Sequence, residues 1–229
     1  MRAPKTLLSA AVVSFLVAGS AIGRSPESRF DGPLLAPQGT VVLFTDRPTF
    51  DAAAPGLPIE DWEEFLVAPM GSTPCDAPAN NTTSCAGVYL AGDILPGLEL
   101  NDDPGPDLLG LRAAGPGFNG NPSLQFGNAT TGEALIVSFS PVIDAAGMDI
   151  SCHLNDSTNI GIEVFDAMGG SLESMAFPCS NAGVFIGVTS TTPIASIRLL
   201  AAGANVSLID NVAFGDITIP VELTGFSVE

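Results

Sequence analysis

The chain has 229 residues, with 25 acidic side chains against seven Lys and Arg and one His, for a formal net charge of −18. A field of that sign repels nucleic acid and anionic lipid, which demand clustered Lys and Arg, and makes divalent cations the natural charged partners.

The first 23 residues read as a secretory signal peptide: Arg2 and Lys5, an apolar run from Leu7 to Val17, then small residues ending in Ala21-Ile22-Gly23. The run of 11 residues is too short to span a bilayer, and no later segment is long and apolar enough to hold the protein in a membrane. Cleavage after Gly23, or earlier after Ser20, predicts a secreted protein, extracellular or periplasmic, of roughly 206 residues, enough for one ordinary core. The signal takes with it the only Lys and one of six Arg, so the mature charge is near −20, five Arg against 25 acids. Residues 24–39 are polar and without period, a flexible leader.

A β-sandwich domain is expected over 40–216, with 217–229 as a C-terminal extension. Val41 to Phe44 is β-prone. Thr45-Asp46 then caps a short helix with Pro48 in its first turn, Phe50 inside it and Pro55-Gly56 ending it. Beyond that point the period is two. Leu135, Val137 and Phe139 share one face, as do Ala146, Met148, Ile150, Cys152 and Leu154. Ile160, Ile162 and Val164 form a third row, and Val206, Leu208, Val212 and Phe214 a fourth. Shorter candidates lie at 88–90, 108–112, 123–126, 171–177, 184–188 and 194–200. About ten short strands punctuated by 25 Gly and 19 Pro indicate an all-β antiparallel sandwich, jelly-roll-like, with one short helix, and exclude an α/β fold. Residues 68–86 read as a surface loop, as does the cluster Asn101, Asp102, Asp103 and Asp107, whose spacing is not that of an EF-hand.

Four Cys remain after export, an even number suited to an oxidising compartment. Of three possible pairings, Cys75 with Cys85 and Cys152 with Cys179 each close a compact local segment. Cys152 lies on the inward parity of its strand and Cys179 shares parity with Met175 and Phe177, so both sulfurs can face one interior. A structural zinc site would show paired C-x-x-C spacing, which is missing.

Two carboxylates fall on apolar faces. Asp210 shares parity with Val206, Leu208, Val212 and Phe214, and Glu63 with Ile59, Phe65 and Val67. If both strands are regular, both acids point inward, where an unpaired carboxylate costs several kcal/mol. A hard cation coordinated by oxygens is the economical compensation, and calcium takes carboxylates and carbonyls. Asp61 and Glu60 lie close enough to assist. The competing accounts are pairing with Arg47, Arg112 or Arg198, or a β-bulge that shifts parity and returns an acid to solvent.

The segments Ile59-Glu60-Asp61-Trp62-Glu63-Glu64-Phe65 and Leu208-Ile209-Asp210-Asn211-Val212-Ala213-Phe214 resemble the strands that bracket jelly-roll domains of the carbohydrate-binding-module type. Similar pairs recur in exported bacterial proteins of unassigned function, many with a PEP-CTERM sorting tail. The resemblance implies a structural calcium ion held by Glu63 and Asp210. The chain ends in Gly225-Phe226-Ser227-Val228-Glu229, without the apolar helix and basic residues of such a tail. Trp62 and Tyr89, the only Trp and Tyr, are the candidate aromatic platforms for a sugar ring.

Enzyme signatures are missing. His153 follows Cys152 directly, and strand neighbours face opposite ways. There is no G-x-S-x-G, H-E-x-x-H or phosphate loop. The expectation is a secreted non-catalytic module for extracellular or envelope carbohydrate, with calcium as a structural cofactor. The alternatives are a matrix or surface protein without a small ligand, and a glycan-cleaving enzyme working through two acids across a cleft.

Overall fold

The computed structural model describes residues 40–68, 71–103, 108–112, 124–128, 131–153, 158–179, 182–203 and 205–217. The stretches read as signal peptide and leader, nearly all of the expected C-terminal extension, Leu154, Asp107 and the side chains of Arg112 and His153 lie outside this description.

The protein is all-β and antiparallel, with one short helix. In chain order the elements are β1 (Val41–Phe44), α1 (Arg47–Ala53), β2 (Ile59–Glu60), β3 (Ser72–Asp76), β4 (Ala79–Asn80), β5 (Leu98–Asp103) and β6 (Leu108–Arg112). After them come β7 (Gln125–Asn128), β8 (Ala134–His153), β9 (Thr158–Asp166), β10 (Ser171–Cys179), β11 (Val184–Ala201) and β12 (Val206–Gly215).

Two long strands organise the rest. Punctuation by Pro141 and Pro193 reads as strand ends in the sequence, yet β8 and β11 each run through their proline, and their mutual register shifts between Thr189 and Ser196. The first half of β8 and the second half of β11 form one layer with β5, β4, β9 and β10. The other halves form the second layer with β1 and β12. Along the free edge of β12, β2 pairs at Val212 and Ala213 while β7 pairs at Leu208 and Ile209, with β6 and β3 beyond. Neither long strand belongs to a single layer.

Period-two patterning supplies the core between the layers. Ile162, Ile197 and Leu199 of the first layer meet Ala146, Met148, Ile150, Ile186 and Val188 of the second around a void of only about 10 Å³, close to the packing limit of protein interiors. Cys152 and Cys179 are both buried in this core and bonded to each other. Cys75 and Cys85 form the second bridge. The expected loop at 68–86 contains β3 and β4, and Asn101, Asp102 and Asp103 belong to β5, paired with Ile136, Leu135 and Ala134. Polar side chains on their exposed or half-buried faces hid these three strands.

The outer face of the second layer carries α1. Asp46 caps the helix, its Oδ1 accepting from the backbone N–H of Thr49 at 3.0 Å and from the Thr49 hydroxyl at 2.7 Å. Phe50 then drops into a dent made by Gly147 and Gly187, which are cross-strand partners. A Cβ at Gly187 would stand 2.5 Å from Phe50 Cδ2, and one at Gly147 2.7 Å from Phe50 Cε1. Ala145, Ala213 and Ala54 complete this small second core.

Gly187→Ala is therefore expected to destabilise the protein by about 1–3 kcal/mol through overpacking, measured by urea unfolding. Combining it with Phe50→Leu should cost less than the sum of the two single changes. Additive losses would show that the ring and the glycine do not share the dent.

Candidate functional site

Seating Phe50 places Arg47, in the first turn of α1, over the second layer. Its guanidinium lies 4.6 Å from the centre of the Phe185 ring, a cation–π contact. Arg47 Nη2 donates to Asp149 Oδ2 at 3.1 Å and to the backbone carbonyl of Asn211 at 2.8 Å. Asn211 Nδ2 donates to the same Asp149 oxygen at 3.0 Å. Asp149 is half-buried on β8 and faces out because its neighbours Met148 and Ile150 face the sandwich core.

The position of Asn211 follows from a bulge. Asp210 opposes Asp149 and Ala213 opposes Gly147, so three steps of β12 match two of β8. Asn211 takes the left-handed backbone, φ +49°, which Asn tolerates better than most residues. The extra residue reverses parity: Ile209, Val212 and Phe214 all join the main core, and Asp210 projects from the opposite face. Its carboxylate is still only 1% exposed, and its Oδ1 accepts from the backbone N–H of Asn211 at 2.7 Å.

Asp149, Asp210, Asn211, Gln125, Phe185 and Gly183 line a recess of about 240 Å³ on this outer face. Gln125 is fixed by a reciprocal pair of hydrogen bonds with Ser151, at 2.9 and 3.1 Å. The result is a polar concavity with one aromatic wall, built on β7, β8, β11 and β12.

The sequence expectation of two inward acids needs correction. Asp210 is buried, but on the outer face of the second layer. Glu63 is exposed: the stretch after β2 makes a tight turn, with the N–H of Phe65 donating to the carbonyl of Trp62 at 3.0 Å, so strand parity does not carry past Trp62. Glu63 Oε1 instead accepts from the backbone N–H of Leu124 at 3.1 Å, next to Gln125 of the recess. Among the described residues no three His, Cys, Asp or Glu side chains converge in a way that would hold a metal ion.

The two aromatic candidates are also corrected. Trp62 is 0% exposed and Tyr89 2%. Trp62 packs on Phe65 and Phe126 with ring centres at 5.9 and 5.3 Å, and Tyr89 stacks on Phe65 at 5.1 Å. Neither can offer a ring face to a sugar. Phe185, half-buried at the recess, is the aromatic that sequence reasoning passed over, together with Asp149. The available signal was an acid alone between two core residues, Met148 and Ile150, on a strand whose other face had no assigned role.

The buried carboxyl of the first segment is Glu60, 3% exposed. It pairs with Val212 and faces the core. Its Oε2 accepts from the N–H of Leu95 at 2.7 Å and its Oε1 from that of Trp62 at 3.4 Å. Burial pushes its pKa from the ordinary 4.5 to about 7, with the two N–H groups opposing and the charges of Glu64 and Asp61 adding to the rise.

No family model matches the sequence, and no curated protein matches it. Among solved structures the chain is similar to a family 6 carbohydrate-binding module, at 12% identity over 69% of this chain and 93% of that one, with a TM-score of 0.33. It is similar to a family 29 carbohydrate-binding module at 13% identity over 67% and 99%, TM-score 0.35. A third is a carbohydrate-binding module from Clostridium stercorarium in complex with cellobiose, at 14% identity over 49% and 84%, TM-score 0.30. At this similarity the likeness says nothing about what this chain binds.

Glu60 generates a pH prediction with a definite sign. A raised pKa means that the folded state binds the proton more tightly than the unfolded state, so the stabilisation is complete below about 4.5 and is lost as pH rises through about 7. The loss is about 3 kcal/mol for a shift of this size. Glu60→Gln, which mimics the protonated acid, should flatten this part of the stability–pH curve and be the more stable protein at pH 8 in chemical unfolding. An unchanged slope would remove Glu60 as its source.

Proposed function

We propose that this protein is an exported, non-catalytic carbohydrate-binding module that takes its ligand at the recess on the outer face of the second layer. The observation that carries the reading is the recess itself: a concavity of about 240 Å³ with carboxylate and amide groups beside an aromatic ring. Sugars are bound by this combination, hydroxyls bonding to planar polar side chains and a C–H face resting on a ring. Its polar groups need no ordering on binding. Arg47 and Asn211 hold Asp149, and Ser151 holds Gln125, which reduces the entropy lost when a ligand docks.

Two cystines support export, because such bonds persist in oxidising compartments. The non-catalytic part of the reading rests on Glu60. A glycosidase acid must keep its proton near neutral pH and touch the glycosidic oxygen. Glu60 has the raised proton affinity, but it is almost wholly buried with both oxygens engaged by backbone N–H groups. The rival reading, a matrix or surface protein with no small ligand, draws on the burial of Trp62 and Tyr89 and is separated by the same experiment. On affinity gels with soluble polysaccharides and on a glycan array, the full mature chain should bind at least one glycan, and Asp149→Ala should weaken binding about tenfold or more, a loss of roughly 1.4 kcal/mol. Uniformly null binding by folded protein would favour the matrix reading.

Calcium belongs to the same proposal. Among the described residues no strand pairs with this edge of β12 at Asp210 and Asn211, between the stretches paired with β2 and β7, and Glu63 is tied to this region through Leu124. An ion there would draw on the carboxylates of Asp210 and Glu63 and on backbone carbonyls, an oxygen set that suits calcium. Because a ligand of the folded state raises its stability, the melting temperature should be higher in calcium than in chelator, and Asp210→Asn should erase the difference. Coincident curves for metal-free protein would remove the ion from the account.

A further inference from the structure

A second hollow lies in the first layer, where Asn80, Asn81, Glu99, Ser138, Leu98 and Phe139 line a cavity of about 260 Å³. Asn80 of β4 and Ser138 of β8 stand on either side of Glu99 of β5 in the register. The amide donors are spent on the protein itself. Asn80 Nδ2 donates to Glu99 Oε2 at 2.9 Å, and Asn81 Nδ2 to the carbonyl of Ile94 at 2.7 Å. Among the described residues nothing donates to Glu99 Oε1 or Asn81 Oδ1. Carboxylate and amide oxygens beside apolar walls match a Lys or Arg side chain, whose methylene stem lies on apolar surface while its head donates to a carboxylate. A sugar fits less well, because Phe139 is 4% exposed and offers no free ring face.

The charge of Glu99 is not met by the elements around it. β4, β5 and the first half of β8 contain no Lys, Arg or His. On the next strand Ser196 is the neighbour of Ser138, and Arg198, two residues on, is engaged by Glu163 and Asp103. Among the described residues Glu99 has no ion-pair partner.

The hollow continues past Gly97 into another of about 270 Å³, walled by Leu57, Pro58, Pro141, Ile143 and Phe214. Gly97 lines both, and the Phe139 and Phe214 rings pack with centres 5.6 Å apart. Of the residues that line this second part only Asp216 is charged. From Phe139 to Pro141 or Ile143 is two to four residues of strand, about 7–13 Å.

We propose that this groove docks an extended segment of a partner polypeptide, with a Lys or Arg side chain entering at Glu99 and an apolar side chain two to four residues away entering between Leu57 and Phe214. The field of a chain that carries −18 draws such a segment in. The test is fluorescence anisotropy on the full mature chain with labelled octapeptides of Gly and Ser that hold one arginine and one leucine two, three or four positions apart.

The expected result is that one spacing binds best, and that replacing its arginine by citrulline, which keeps the shape and removes the charge, weakens binding about tenfold. Replacing its leucine by serine should also weaken it. Glu99→Gln should remove the preference for arginine over citrulline, whereas Glu173→Gln, an equal change of charge on β10, should leave it intact. Should Glu99→Gln fail to fold, ionic strength decides on the unaltered protein: added salt should weaken the arginine peptide and leave the citrulline peptide unchanged. Equal affinities for the two peptides, equal effects of the two substitutions, or no binding of any peptide overturns the proposal. Glycan binding at the recess should survive Glu99→Gln, so the carbohydrate reading and this one fail separately. Loss of glycan binding in that variant would make the groove a sugar site and overturn the peptide reading.

Discussion

Asn211, in the left-handed region at the point where β12 has one residue more than β8 opposite it, is the constraint on which the arrangement of polar groups depends. Without the extra residue, Asp210 would share a face with Val212 and Phe214 and stand among the apolar side chains between the layers. With it, the carboxylate is placed on the outer face, opposite Asp149 and beside Asn211, whose backbone N–H donates to Asp210 and whose side-chain amide donates to Asp149. The backbone carbonyl of Asn211 is also the second acceptor for Arg47. One irregular residue thus gathers two carboxylates, an amide and a guanidinium at one place. Bulges commonly re-aim side chains in this way.

The outer face could hold such a group only because something covers its other end. Gly147 and Gly187, side by side on β8 and β11, create a hollow the depth of an aromatic ring, and Phe50 fills it. The helix that supplies Phe50 is only seven residues long, too short to be stable in isolation. Its position is fixed by its Asp46 cap and by that ring. Arg47 leaves the helix three residues before Phe50, so the dent in the sheet sets where the guanidinium sits over Phe185.

The two ends of the segment 59–65 illustrate how differently carboxylates are treated. Glu60 enters the core as a carboxyl with backbone donors on both oxygens and a raised pKa. Glu63 stays in water, touching Leu124. Burial of the first is tolerable because a protonated acid avoids most of the desolvation cost of a charge. The described arginines Arg47 and Arg198 are both engaged by other carboxylates at the surface of the sheets.

Local chemistry alone determined the class of the fold. The rows Leu135-Val137-Phe139, Ala146-Met148-Ile150-Cys152 and Ile160-Ile162-Val164 are buried as alternation requires, the helix begins at the cap that Asp46 provides, and both cystines join the cysteines whose spacing and parity favoured it. Those features follow from period, propensity and spacing, which are properties of neighbouring residues. What only the tertiary structure decided is where alternation is interrupted. The extra residue at Asn211 exists only relative to the register of β8. Trp62 and Tyr89 are core residues because Phe126 reaches both, and Phe65 reaches Tyr89, from distant segments. Asp149 becomes a site residue because β12, β11 and α1 bring Asn211, Phe185 and Arg47 to it. A parity count cannot see a partner strand, so the sequence revealed that acids sat among apolar neighbours, and the folded chain determined which face each one occupies.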